Sequence, residues 1–146
     1  MDLHLQDISH AYGEMAVLDK IGFSVASGEI VCIVGPSGCG KSTLLRIIGG
    51  LERPDKGVVK LSGDPPKASL NPLTYIFQDF ALLPWRSVED NISLGLEDHS
   101  LAKQERRTII DDVLTRTHLD EFKKALPRQL SGGMKQRVAI ARALAV

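Results

Sequence analysis

No apolar stretch in the 146 residues approaches the ~20 consecutive residues that a membrane-crossing helix needs. The opening Met1-Asp2-Leu3-His4-Leu5-Gln6-Asp7 also lacks the basic start and apolar segment of a secretory signal. Both absences lead to the expectation of a protein that stays in the cytosol. Charge of one sign is missing as well: 18 basic residues balance 18 acidic ones. That argues against nucleic-acid binding through a broad basic surface, but a local nucleotide site needs no net charge. The two cysteines, Cys32 and Cys39, are too few and too close to staple a fold. Cys32 lies in an apolar run and is expected to be a small buried side chain. The four histidines, His4, His10, His99 and His118, share no metal-like spacing. Internal repeats and low-complexity tracts are also absent. The remainder is ordinary, 43% hydrophobic and 25% charged, and suits one domain with one core.

Alternation over residues 3–9 predicts a strand, with Leu3, Leu5 and Asp7 on one face and His4, Gln6 and Ile8 on the other. Val17 to Val25 predicts a second strand, closed by Ser27-Gly28-Glu29. Ile30-Val31-Cys32-Ile33-Val34 is short, apolar and β-branched, as in a strand covered on both faces. Leu44, Leu45, Ile47, Ile48 and Leu51 are spaced as the buried face of a helix, which Gly49-Gly50 should end. Val58 to Leu61 and Leu73 to Phe77 predict two further strands, with Asp64-Pro65-Pro66 a loop between them. Ser87 is a candidate N-cap, with Glu89 and Asp90 in the first turn of its helix. A longer helix is expected from Lys103 to Thr117, and a last one from about Ser131. This order predicts an α/β fold with a helical insertion.

Between the apolar run and the first helix stands Gly35-Pro36-Ser37-Gly38-Cys39-Gly40-Lys41-Ser42, which fits G-x-x-x-x-G-K-[ST]. A helix start offers unpaired N–H groups and a partial positive charge. Glycines let the backbone wrap closely around phosphate oxygens. The N–H groups from Gly38 through Thr43 are the expected cradle. Lys41 would reach the β- and γ-phosphates, and the Ser42 hydroxyl would take a place on Mg²⁺. Cys39 fills a variable slot, where a small residue is tolerated.

A second glycine turn, Leu130-Ser131-Gly132-Gly133-Met134-Lys135-Gln136-Arg137, also opens a helix. Alone it could be no more than a well-capped helix start. It resembles the signature motif of ABC ATPases, however, and Ala139 to Leu144 resembles the helix that follows it there. Gln78, after Tyr75-Ile76-Phe77, resembles that family's Q-loop. Tyr12 resembles the aromatic residue that stacks on adenine, with an ordinary strand aromatic as the alternative. These features occur in family order and cover essentially the whole chain.

The resemblance implies a P-loop NTPase core of ABC ATPase type, with an N-terminal antiparallel β subdomain, a helical insertion and an incomplete sheet. The expected divisions are 1–80, 81–130 and 131–146. It implies an ATP- and Mg²⁺-dependent subunit working as a homodimer on the cytoplasmic face of the membrane. There it would serve an integral permease and, indirectly, a solute-binding protein, with no nucleic-acid partner. Nucleotide would touch Tyr12 and the loop Gly35, Pro36, Ser37, Gly38, Cys39, Gly40, Lys41, Ser42 and Thr43. Ser131, Gly132, Gly133 and Gln136 would face the γ-phosphate held by the other copy. Gln78 and Lys41 would be catalytic, with Gln78 and Ser42 sensing the metal. Met134 stands where many relatives carry glutamine, and a small effect is expected from it.

Leu82-Leu83-Pro84-Trp85-Arg86 is where the family docks a permease helix; Trp85 could equally fill an internal junction. The run Gln78 to Trp85, with Val88-Glu89-Asp90-Asn91-Ile92, looks like importers of nitrate, sulfonates and taurine. The carboxylate on Mg²⁺ (Walker B) and the switch histidine have no counterpart in residues 1–146, since the family carries them beyond the signature helix. Without the sheet strands that follow there, Ile30–Val34 would expose unpaired backbone and apolar faces. The 146 residues alone are therefore expected to be marginally folded and unable to turn over ATP. The alternatives are a non-catalytic nucleotide-binding regulatory module and a soluble, non-transport ABC protein.

Overall fold

A computed structural model describes residues 1–65 and 69–146. Pro66, in the expected Asp64-Pro65-Pro66 loop, lies outside the described residues, while Asp64 and Pro65 carry no regular structure. The chain divides into two compact units, Met1–Ala68 and Ser69–Val146.

The first unit holds an antiparallel sheet of β1 (Asp2–Tyr12), β2 (Met15–Val25) and β3 (Lys56–Ser62), in the order β2-β1-β3. Tyr12 pairs with Met15, leaving Gly13 and Glu14 as a two-residue turn with Gly13 at φ 62°. Simple alternation fails partway along β1. Leu5 and Ile8 are buried in the same core, although the alternating pattern sends them to opposite faces. The cause is a bulge: the pairing register shifts between Leu5 and Ile8, and Asp7 adopts φ 50°. One inserted residue moves every later side chain to the other face. Further shifts follow between Ile8 and His10 and between His10 and Ala11.

Helix α1 (Lys41–Ile48) lays Thr43, Leu44 and Ile47 inward, and Leu44 and Ile47 join Leu5, Ile8 and Leu18 in the core. Leu45 and Leu51 are exposed, contrary to the expected apolar face. Leu45 lies about 100° around the helix from Leu44. Leu51 follows Gly49 and Gly50, where the chain turns away with Gly50 at φ 69°.

Two expected strands are absent. Ile30 to Val34 carries no strand; Ile30 is 94% and Val34 84% exposed, and Cys32 is exposed rather than buried. A strand covered on both faces requires neighbours, and among the described residues none pairs with this run. Leu73 to Phe77 likewise forms no strand and leaves Leu73, Ile76 and Phe77 exposed.

The second unit is helical: α2 (Val88–Leu94), α3 (Lys103–Arg116) and α4 (Gly132–Leu144), with 3₁₀ turns at Asp120–Phe122 and Pro127–Gln129. Ser87 caps α2, as the sequence predicts, and the structure adds a reciprocal capping box with Asp90. Ile92, Leu96, Val113, Leu114, Leu119 and Val138 form the centre of its core. Lys123 bonds Asp111, which holds that carboxyl below its usual pKa and raises the ammonium above its own. Among the described residues no helix is long and apolar enough to cross a membrane.

Candidate nucleotide-binding site

The phosphate loop is built by conformations that only glycine adopts cheaply. Gly38 and Gly40 sit at φ 82° and 91°. A Cβ on Gly40 would lie 2.9 Å from the Val17 carbonyl oxygen and from the side chains of Val17 and Leu18. Glycine is therefore required there by strand packing and by torsion together. Gly40 is the N-cap of α1, and no side chain caps this end. The first-turn N–H groups are left for an external acceptor. The Lys41 ammonium folds back along the loop, donating to the carbonyls of Gly35 at 2.9 Å and Pro36 at 2.6 Å, with Cys39 Sγ 3.6 Å away. An anion entering the loop would meet this ammonium as well as the free N–H groups.

These features fit a polyphosphate. Ser42, exposed at the start of α1, offers one hydroxyl for an accompanying Mg²⁺. Among the described residues no group of three or more His, Cys, Asp or Glu side chains could hold a metal alone.

Tyr12 ends β1 as an exposed residue, at 46% of its surface. Its hydroxyl donates to Glu52 Oε1 at 2.7 Å and lies 3.5 Å from Thr43 Oγ1, in the first turn of α1. The His10 ring stands edge-on to the Tyr12 ring, with centroids 4.8 Å apart.

In the second unit, Ser131 caps α4 and its Oγ accepts from the Met134 N–H at 3.2 Å. Gly132 and Gly133 are exposed, neither has a positive φ, and a Cβ on either would meet nothing within 4 Å. Neither torsion nor packing within the chain demands glycine there. Gln136 is exposed on the same helix, while Met134 packs against the helical core.

Gln78 is exposed in a turn that continues through Ala81. Phe80 and Ala81 are consecutive left-handed residues, at φ 61° and 45°, each costing about 1–2 kcal/mol without glycine. Arg142 of α4 holds both: its guanidinium donates to the carbonyls of Phe80 and Ala81, each at 2.8 Å. Burial lowers the Arg142 pKa from its usual value, although the group stays charged. Trp85, a few residues on, is 74% exposed. The loop beneath it is fixed by the buried Asn91, which bonds the backbone of Leu83, Arg86 and Ser87.

Sequence reasoning overlooked Glu52 and Arg142. Glu52 lies in a loop with no motif of its own, and its partner Tyr12 is 40 residues away. Arg142 did leave a signal, a charge four residues after Val138 and beside Ala141 on the buried face of α4.

Comparison with known proteins extends this geometry. The family profile described as ABC transporter matches residues 18–146. The spermidine/putrescine import ATP-binding protein PotA of Marinobacter nauticus is 42% identical over 97% of this chain and 39% of its own length. The nitrate import ATP-binding protein NrtD of Synechococcus elongatus is 43% identical over 92% of this chain and 50% of its own. The chain thus spans about two fifths to one half of these curated relatives. The solved dimer of the ATP-binding cassette MJ0796 bound to ADP and Pi is similar at TM-score 0.81 and 35% identity, over 98% of this chain and 69% of that one. A single profile running from Leu18 through both glycine turns, together with a solved cassette of the same fold, places this chain in the ABC transporter family.

Proposed function

We propose that the chain is the nucleotide-binding part of an ABC importer ATPase. In this reading two copies pack head to tail, and ATP is held between the phosphate loop of one and the Ser131-Gly132-Gly133 turn of the other. The free N–H groups and Lys41 bind the phosphate tail, Tyr12 stacks on the base, and Ser42 and Gln78 face the Mg²⁺ that accompanies the phosphates. Across the interface, Ser131, the Gly133 amide and Gln136 approach the γ-phosphate. Closure then depends on the charge that distinguishes ATP from ADP.

The observation that carries this reading is the open space at Gly132 and Gly133. Two glycines that the chain's own packing does not require are explained by something that must come close from outside. Trp85, exposed on its anchored loop, supports a permease-docking surface at Leu82–Arg86, with a solute-binding protein beyond the permease. The protein then sits peripherally on the cytoplasmic face of the membrane.

For cargo, the segment 78–92 favours the nitrate, sulfonate and taurine class, and a nitrate import protein is among the relatives. Polyamine import relatives of similar identity make polyamine uptake the competing outcome of a transport assay.

Gly133→Val tests the interface. In the intact protein, dimerisation induced by a non-hydrolysable ATP analogue should weaken at least about tenfold, because the added side chain obstructs the approach of phosphate. Analogue affinity at low protein concentration should stay within about twofold, since the protomer's own phosphate loop is untouched. Sedimentation at several protein concentrations reads the first and fluorescence titration the second. Undiminished dimerisation overturns the head-to-tail reading.

A further inference from the structure

We propose that Glu52 is the positioning residue of the nucleobase platform, fixing the tilt of the Tyr12 ring through its bond to the Tyr12 hydroxyl. This deepens the nucleotide-site reading above and rests on the part of it that puts the base against Tyr12.

The geometry is specific. Tyr12 ends a strand beside a two-residue turn, a place where an aromatic ring could take several orientations. Its hydroxyl donates to Glu52 Oε1 at 2.7 Å, a charge-assisted bond and so among the stronger kinds. Glu52 has a second neighbour in His10. His10 Nε2 lies 3.2 Å from the same Oε1, with the His10 side chain 10% and the Glu52 side chain 22% exposed. His10 Nδ1 lies 3.5 Å from Asp55 Oδ2; neither approach has hydrogen-bond geometry, so His10 crowds the two carboxylates without bonding them. Asp55 closes the set: its carboxylate accepts from the Ala11 N–H at 2.8 Å, and its N–H donates to the Ser9 carbonyl at 3.0 Å. The loop after α1 therefore grips the end of β1 at Ser9, Ala11 and Tyr12. His10, edge-on to the ring, blocks rotation from one side.

The consequence is a link between two recognition tasks. The helix that carries Lys41 and Ser42 at its start leads, past its end, into the loop that sets the ring. Phosphate capture and base stacking then share one support. The hydroxyl of Tyr12, useless for stacking itself, becomes the handle by which the ring is aimed.

The test compares binding of ATP with binding of Mg²⁺-tripolyphosphate, which has the phosphates and no base, in the intact protein. Tyr12→Phe keeps the ring and removes one oxygen; Glu52→Ala removes its partner. Each should weaken ATP about five- to tenfold, less than the full loss of a charged hydrogen bond because the bond orients the ring and does not itself touch ATP, and leave tripolyphosphate within about twofold. The double variant should be no worse than either single one, since both break the same bond. Glu52→Gln, which keeps an oxygen for the hydroxyl, should recover most of the affinity.

The proposal is overturned if ATP and tripolyphosphate weaken together, if the two single effects add, or if Tyr12→Phe binds ATP as the parent does. That last variant decides the matter even where Glu52→Ala does not fold. Tyr12→Ala separates the two levels of the reading. If it leaves the preference for ATP over tripolyphosphate intact, the stacking role itself fails; if it abolishes that preference while Tyr12→Phe does not, only the role of Glu52 fails.

Discussion

Lys41→Ala should lower ATP affinity by at least about a hundredfold while moving the melting temperature little. The two effects separate because Lys41 does different things in the two contexts. In the chain alone its ammonium satisfies the carbonyls of Gly35 and Pro36 in an exposed loop. Water can take over those carbonyls, so the loss to stability is a few tenths to about 1 kcal/mol. In the nucleotide complex proposed above, the same ammonium would face phosphate oxygens beside the uncapped start of α1. Two charge-assisted bonds at about 1.5–3 kcal/mol each correspond to two or more decades of affinity. Titration of the intact protein with a non-hydrolysable analogue reads the affinity, and thermal denaturation reads the stability. Unchanged affinity would remove the phosphate loop from the mechanism, and with it the functional reading built on that loop.

Asn91→Ala should be among the most destabilising single changes in the helical unit, costing about 2–4 kcal/mol. Asn91 is fully buried. Its Oδ1 accepts from the Leu83 N–H at 2.8 Å, and its amide donates to the carbonyls of Leu83, Arg86 and Ser87 at 3.2, 3.0 and 2.9 Å. Truncation leaves the Leu83 N–H and the Arg86 carbonyl without a partner, next to the capped start of α2, while the carbonyls of Leu83 and Ser87 keep the N–H groups of Arg86 and Asn91. Asn91→Asp should be worse, because it puts a negative charge against three carbonyl oxygens. Urea denaturation of the intact protein measures the cost. Trp85, the only tryptophan, lies on the released loop, and hydrogen exchange at Leu83 and Arg86 should accelerate in the variant. A loss below about 0.5 kcal/mol would mean that water already serves these groups.

What the sequence disclosed and what it hid divide along the reach of the interactions. The Ser87–Asp90 capping box and the Ser131 cap are bonds over three residues, so a short window contains both partners. The phosphate loop is similar: its glycines, its lysine and the helix they open are contiguous. Ile8 was assigned to the wrong face because the bulge at Asp7 is a property of strand pairing, not of local alternation. Ile30–Val34 reads as buried because its composition suits burial, whereas burial itself depends on neighbours that a window of five residues does not contain. Glu52 stayed hidden for the same reason, since its importance lies in a partner on another element. Arg142 was legible in principle, as a charge on an apolar helical face, but its acceptors lie about 60 residues earlier.

The bare run at Ile30–Val34 has a practical consequence for anyone preparing this polypeptide. Five successive apolar residues, four of them β-branched and none charged or proline, make a window suited to steric-zipper stacking. A sample in which this window stays open should precipitate through it rather than through the helical unit. Replacing Ile30, 94% exposed, with lysine would then act as a gatekeeper and raise the soluble yield.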